Sequence, residues 1–294
     1  MTQLRAPSRA LNSRLSQGPT LMAPGIYDGL SARIAAQAGF EALYMTGFGV
    51  SGSTLGMPDI GLMTATEMAD RARALTDAAR TEDGTPVPLI ADGDNGHGSE
   101  LNVARLVRLY EQAGVACIQL EDQVFPKRCG HMASKEVIGR SEAAAKIAAA
   151  VAARDTSDFL VMARTDARAV IGFDEALRRG EAFLDAGADI LFIEAPQSLE
   201  ELRTVAETFK GAKLVANMVE DGKTPYLPVA DLDALGFALA IYPVSALLAT
   251  ARRLADVYAS MHTAGCLPNA EQRLSFPDYN KRMGLNALVP NAVA

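Results

Sequence analysis

Asp185-Ala186-Gly187-Ala188-Asp189-Ile190-Leu191-Phe192-Ile193 decides the fold, because the chain repeats it with variations. Gln112-Ala113-Gly114-Val115-Ala116-Cys117-Ile118-Gln119-Leu120 is one earlier version, and Gln37-Ala38-Gly39-Phe40-Glu41-Ala42-Leu43-Tyr44-Met45 another. A looser fourth reads Ala234-Leu235-Gly236-Phe237-Ala238-Leu239-Ala240-Ile241-Tyr242. Each reads as a helix end, a Gly able to adopt φ > 0 as its cap, and then a buried strand. Four more apolar runs lie before or between these copies, at 21–26, 88–91, 159–163 and 213–216. Eight strands result.

Ala-rich helical patterns over 64–80, 99–113, 141–154 and 173–186 separate the strands, with Thr64, Ser99, Ser141 and Asp174 as N-cap types. Eight strands alternating with helices predict an all-parallel sheet closed into a (β/α)8, TIM-type barrel. An open doubly wound sheet is the alternative, and no G-x-G-x-x-G follows the first strand to support it. The absence of a composition break predicts one domain over 1–294. The barrel spans about 21–261, 245–261 is its eighth helix, and 262–294 is a tail that leaves it.

The totals narrow the function classes. The chain has 294 residues, 49% of them hydrophobic, and a formal net charge of -7. That size suits a single α/β barrel. No run of about 18 apolar residues offers a membrane span, and residues 1–20 lack the apolar core of a secretory signal. An acidic chain without a basic stripe argues against nucleic acid. Three cysteines, an odd number without a C-x-x-C pair, fit a reducing cytoplasm better than a disulfide framework.

In such a barrel, polar residues at the C-terminal strand ends are the catalytic candidates. The second strand ends in Tyr44-Met45-Thr46-Gly47-Phe48-Gly49, the third in Asp92-Gly93-Asp94-Asn95-Gly96-His97-Gly98, and the fourth in Glu121-Asp122. The fifth ends in Arg164-Thr165-Asp166, the sixth in Glu194 and the seventh in Asn217. Any one of these is compatible with a solvated loop, but six together define one mouth. Asp92 and Asp94 stand at i and i+2 and share an orientation while strand geometry persists. With Glu121 they form a hard-oxygen set suited to Mg²⁺ that keeps several waters. An Asp-Gly turn is the competing reading of 92–98. Arg164 has the fork to grip a substrate carboxylate.

Lys127-Arg128-Cys129-Gly130-His131 follows the fourth strand. Flanking cations favour the thiolate, so Cys129 is poised to exchange a proton. A solvated basic loop is the alternative, and zinc has only a C-x-H pair to support it. Metal, Arg and thiol together suit making or breaking a carbon–carbon bond beside a carboxylate.

These residues resemble the lyase branch of the isocitrate lyase/phosphoenolpyruvate mutase superfamily, from about residue 21 to 243. The motifs are Tyr44-Met45-Thr46-Gly47, Asp92-Gly93-Asp94, Lys127-Arg128-Cys129-Gly130-His131, Arg164-Thr165-Asp166, and Asn217-Met218 followed by Gly222-Lys223-Thr224-Pro225. The resemblance implies a Mg²⁺-dependent barrel, with Mn²⁺ as a substitute, in a homotetramer that exchanges a C-terminal helix. It implies metal at Asp92 and Asp94, supported by Glu121. Substrate contacts would come from Tyr44, Thr46, Gly47, Phe48, Asp59, Arg164, Glu194 and Asn217. Cys129 would be the general acid, tuned by Lys127, Arg128 and His131, with an ionised Tyr44 as a candidate base.

The substrate implied is a 2-hydroxy dicarboxylate or tricarboxylate, split to an α-keto acid and a carboxylic acid. The continuation His131-Met132-Ala133-Ser134-Lys135 is closer to the alkylmalate-cleaving members than to the methylisocitrate-cleaving ones. Phe48 takes space from a third carboxylate. Asn95 and His97 depart from the family's usual Asp-Thr-Gly sequence. Hydrolysis or decarboxylation of oxaloacetate, and keto-acid binding without turnover, remain the alternatives.

Overall fold

A computed structural model describes residues 2–130, 134–267 and 273–289, with side chains from Ala6 onward. The chain forms two compact units, Met1–Ser245 and Ala246–Ala294. In the first, eight strands close into the expected barrel: β1 (Leu21–Ile26), β2 (Leu43–Met45), β3 (Leu89–Asp92), β4 (Cys117–Glu121), β5 (Leu160–Thr165), β6 (Ile190–Ile193), β7 (Lys213–Asn217) and β8 (Leu239–Tyr242). Every neighbouring pair is parallel, and β8 returns to β1.

The repeated phrase works as its residues suggest. Gly39, Gly114, Gly187 and Gly236 have φ of 91°, 82°, 93° and 94°, a region open to Gly without steric cost. Beyond three of them the chain closes the helix with a six-to-one bond: Val115 N–H to Tyr110 O at 3.0 Å, Ala188 N–H to Phe183 O at 3.0 Å, and Phe237 N–H to Leu232 O at 3.1 Å. This pattern satisfies orphan carbonyls and turns the chain directly into the next strand.

Two of the four expected caps hold. Thr64 and Glu67 cap Ala65–Ala78 reciprocally, and Ser99 pairs with Asn102 ahead of Glu100–Gln112. Ser141 and Asp174 do not cap. Their helices begin one residue earlier, at Arg140 and Phe173, behind Gly139 and Gly172. At 172 the chain needs φ of 140°, which a Gly supplies and Asp174 has no reason to replace. Acid still falls in both first turns, as Glu142 and as Asp174 with Glu175, where the helix dipole favours it.

A helix at Thr2–Ser16 lies outside the periodic elements of the sequence. Its Leu11 and Leu15, one turn apart, join the barrel's interior cluster beside Leu21, Ala23, Ile90, Cys117, Leu160 and Ile190. The helix therefore closes the floor of the barrel. Arg14 holds it there, with Nε 3.1 Å from Glu41 and Nη1 donating to Pro19 O at 2.8 Å.

The second unit holds Ser245–Ala264, most of which lies past the division, and the short helices Phe276–Arg282 and Leu285–Leu288. The division falls at Ser245. Among the described residues no helix is long and apolar enough to cross a membrane.

Leu11 is 1% exposed, so Leu11→Ala opens a cavity in the floor. Urea unfolding is expected to register a loss of about 2–5 kcal/mol. A loss within ~0.5 kcal/mol, the size of a surface substitution, would mean that the helix does not close the barrel.

Candidate active site

Tyr44, Ile90, Cys117, Leu160, Met162, Ile190, Phe192 and Val215 meet in the barrel interior. Strand side chains alternate with period two. Counting onward by two therefore reaches Thr46, Asp92, Gln119, Glu121, Arg164, Glu194 and Asn217, all of them buried. Strand pairing sets Asp92 beside Gln119 and Glu121 beside Arg164. The apolar layers thus end in a polar layer at the C-terminal mouth.

Asp92 is held on both oxygens. Oδ1 accepts from Asp94 N–H at 3.0 Å and from Gln119 Nε2 at 3.2 Å, and Oδ2 accepts from Gly47 N–H at 3.2 Å. A Cβ on Gly47 would lie 2.6 Å from Asp92 Oδ2, so only Gly fits. Tyr44 donates its hydroxyl to Gln119 Oε1 at 2.8 Å. Burial, with Asp92 adding to it, pushes the Tyr44 phenol well above its ordinary value. Tyr44 therefore stands in this layer as a hydrogen-bond donor to Gln119.

Asp94 does not share the strand orientation of Asp92. β3 ends at Asp92, and Asp94 has φ of 49°. Its Oδ1 meets Lys127 Nζ at 2.7 Å, and the same Nζ lies 2.6 Å from Asp59 Oδ1. Burial outweighs Lys127 and raises Asp94 to about 7. Lys127 is 3% exposed. Its ammonium is shared between these two acids.

Arg164 also departs from expectation. Its fork is occupied within the chain, with Nε and Nη2 donating to Asp166 at 2.9 and 3.0 Å. Glu121 and Glu194 stand 3.5 and 3.8 Å from Nε, and the Phe192 ring lies 5.2 Å from the guanidinium carbon. Burial alone would raise Asp166, but Arg164 and Lys135 more than reverse it and hold that carboxyl below the usual range. Asn217 Nδ2 donates to Glu194 at 3.2 Å.

The cysteine loop is seated on this layer. Asp59, Asp92, Glu121 and Arg164 line one cavity with Lys127, Arg128, Cys129 and Gly130, and with Tyr44, Thr46, Phe48 and Asn217. A Cβ on Gly130 would fall 2.4 Å from Arg164 Nη2 and 2.6 Å from Glu194 Oε1, which explains Gly at that point. Lys135 Nζ ties Gly130 O to Asp166. His131 and Met132 lie outside the described residues. The rest of the cavity wall is apolar: Val219, Ile241, Pro243 and Val244.

Gln119 and Lys135 carry contacts that the strand-end motifs leave out. Gln119 had a signal, since it stands two residues before Glu121 on the same face of β4. Lys135 had none, because its partners come from β5 and the loop.

The donor chemistry suits a hard divalent cation. Among the described residues Glu121 Oε1 is buried without a hydrogen-bond partner, and burial first of all raises the Glu121 carboxyl against the pull of Arg164. Among the described residues Asp59, Asp92, Asp94, Glu121, Asp166 and Glu194 outnumber Lys127, Arg128, Lys135 and Arg164 around this layer, so a cation would relieve the imbalance. Among the described residues no three acid, His or Cys side chains close on one point as a metal site. Water or substrate oxygens would have to complete the shell, as Mg²⁺ usually requires.

The profile of the phosphoenolpyruvate phosphomutase family matches residues 11–262. The chain is 47% identical over 278 residues to 2,3-dimethylmalate lyase of Eubacterium barkeri, covering 93% of each. It is 40% identical over 289 residues to 2-methylisocitrate lyase of Aeropyrum pernix, covering 95% of this chain and 91% of that one. Oxaloacetate acetylhydrolase, solved with 3,3-difluorooxalacetate, matches with TM-score 0.91 at 34% identity over 97% of this chain and 95% of that one. Phosphonopyruvate hydrolase, solved with oxalate and Mg²⁺, matches with TM-score 0.84 at 31% identity over 96% of each. With its barrel, strand-end acids and cysteine loop, the chain belongs to the phosphoenolpyruvate mutase/isocitrate lyase superfamily.

Proposed function

We propose that this protein is a lyase that cleaves the C2–C3 bond of a 2-alkylmalate-type 2-hydroxy dicarboxylate, releasing an α-keto acid such as pyruvate and a carboxylic acid. The observation that carries this is the seating of Cys129 in the same cavity as Asp92, Glu121 and Arg164. A proton donor thus faces the groups that would hold the carboxylate end. Phe48 and the apolar wall of Val219, Ile241, Pro243 and Val244 suit alkyl substituents better than a third carboxylate. The 47% identity to a 2,3-dimethylmalate lyase supports the same choice.

Asp92 and Asp94, with Glu121 behind them, are the residues that would hold Mg²⁺, or Mn²⁺ in its place. When bound, the ion supplies charge stabilisation for oxygen atoms of the substrate that become anionic. Thr46, Gly47, Asn217 and Arg164 orient the substrate. Arg164 makes that contact once its fork is shared with the incoming carboxylate. Asp59 fixes Lys127 and so holds the loop down, and Glu194 fixes Asn217. The C2 hydroxyl loses its proton to a buried carboxylate. Glu121, whose Oε1 has no hydrogen-bond partner among the described residues, is better placed for this than Tyr44, which donates to Gln119. The C2–O electrons form the keto group, and the C2–C3 pair moves to C3, where the adjacent carboxylate spreads the charge. Cys129 gives its proton to C3 and regains one from solvent after release. Arg128 and His131, on the same loop, would offset the thiolate charge. A working thiol at Cys129 also fits a reducing cytoplasm.

Hydrolysis of oxaloacetate is the second reading, favoured by the match to oxaloacetate acetylhydrolase. A product assay with Mg²⁺ separates the readings. Pyruvate from 2,3-dimethylmalate or 2-methylisocitrate supports the lyase, and oxalate with acetate from oxaloacetate supports the hydrolase. No product from any of them leaves a binding protein.

Cys129→Ala is expected to lower turnover on the best substrate by about 10²–10⁴-fold, the usual size of an acid–base contribution. Unchanged turnover would remove Cys129 from the mechanism. Asp92→Ala is expected to abolish activity together with its Mg²⁺ dependence, so residual activity in chelator would end the metal assignment. A tetramer exchanging its C-terminal helix is the proposed assembly, supported by the exposure of Leu248, Leu254, Tyr258 and Met261 on Ser245–Ala264. A monomer mass at micromolar concentration would refute it.

A further inference from the structure

Gln123 is 1% exposed, and both ends of its amide act on one loop residue. Its Nε2 donates to Arg128 O at 2.8 Å, and Arg128 N–H donates to its Oε1 at 2.9 Å. Arg128 O belongs to the peptide unit that also carries the N–H of Cys129. That N–H donates to Asp59 O at 3.3 Å. The peptide directly before Cys129 is therefore gripped at its oxygen and at its nitrogen. A planar unit held at both ends has its orientation set, and with it the place of the Cys129 Cα from which the side chain departs.

The post behind the clasp is rigid. Gln123 pairs antiparallel with Val137, with Val124 N–H donating to Glu136 O and Ile138 N–H to Asp122 O, both at 2.9 Å. Asn95 Nδ2 donates to the Gln123 carbonyl at 3.3 Å. The post is thereby tied to the turn that carries Asp92 and Asp94. Buried amides keep partners for both ends because an unpaired end is costly. A mere space-filling role needs only the volume of the side chain, whereas this geometry uses its polar atoms on the one residue next to the thiol.

We propose that Gln123 is a positioning residue, whose amide clasp on Arg128 aims Cys129 into the cavity. The proposal rests on the general-acid reading of Cys129. Its test includes a readout that does not.

The full-length protein is taken in a Cys266→Ser background, since Cys266 is exposed and Cys117 is buried. Gln123→Ala removes the clasp, and Gln123→Met removes it while keeping the volume. Both are expected to lower kcat by about 10²-fold, the scale of a ~1 Å misplacement, with a smaller change in KM. Both are expected to change the rate at which iodoacetamide alkylates Cys129, measured without substrate. Added to Cys129→Ala, neither substitution is expected to cost anything further. Wild-type kcat and alkylation rate in Gln123→Met would overturn the proposal. So would an equal loss of kcat with Cys129 present or replaced, since that is the mark of a structural role. If Cys129→Ala alone is fully active, the general-acid reading fails, and an unchanged alkylation rate would then sink the positioning claim as well.

Discussion

Side chains on a parallel barrel strand must alternate between the axis and the surrounding helices, and the site depends on that constraint. With both faces covered, a slip of one residue would exchange the two sets completely. In this register Ile90 leads to Asp92, Cys117 to Gln119 and Glu121, Met162 to Arg164, Phe192 to Glu194, and Val215 to Asn217. The change from apolar to polar comes at one level because the strands are paired at one level: Asp92 with Gln119, and Glu121 with Arg164. The helix Thr2–Ser16 closes the other end with Leu11 and Leu15. The barrel is thus a packed core with a single polar face.

Charge burial shapes what stands on that face. Acids and cations out of water are tolerable only when paired, and removing one partner of a buried pair commonly costs about 3–5 kcal/mol. The layer meets this with shared partners. Lys127 serves Asp59 and Asp94, and Asp166 serves Arg164 and Lys135. The cysteine loop brings Lys127 into this layer and hands Gly130 O to Lys135. The placement of the thiol and the charge balance of the strand ends are therefore one arrangement. Small residues make it fit, since Gly47 and Gly130 admit Asp92 and Arg164 to distances that a Cβ would block.

Much of this was legible along the chain. The Gly-then-strand phrase marks four of the eight strands, apolar runs mark the other four, and the strand ends carry Asp92, Glu121, Arg164, Glu194 and Asn217. Contacts between residues far apart are less legible. Asp94 was placed by strand parity, but the strand stops two residues before it. The fork of Arg164 meets Asp166, two residues on. Lys127 reaches to Asp59, far back in the chain. Tyr44 is buried against Gln119, a partner that sequence proximity does not indicate.

By itself the sequence determined the barrel, the level at which its interior turns polar, and the residue types that meet there. Periodicity and capping are local, and local chemistry writes them directly into the chain. Only the tertiary structure decided which charge answers which, that Tyr44 donates to Gln119, and that Gln123 grips the peptide ahead of Cys129. Those outcomes depend on burial and on distances between residues far apart in sequence. Neither quantity exists until the barrel has closed.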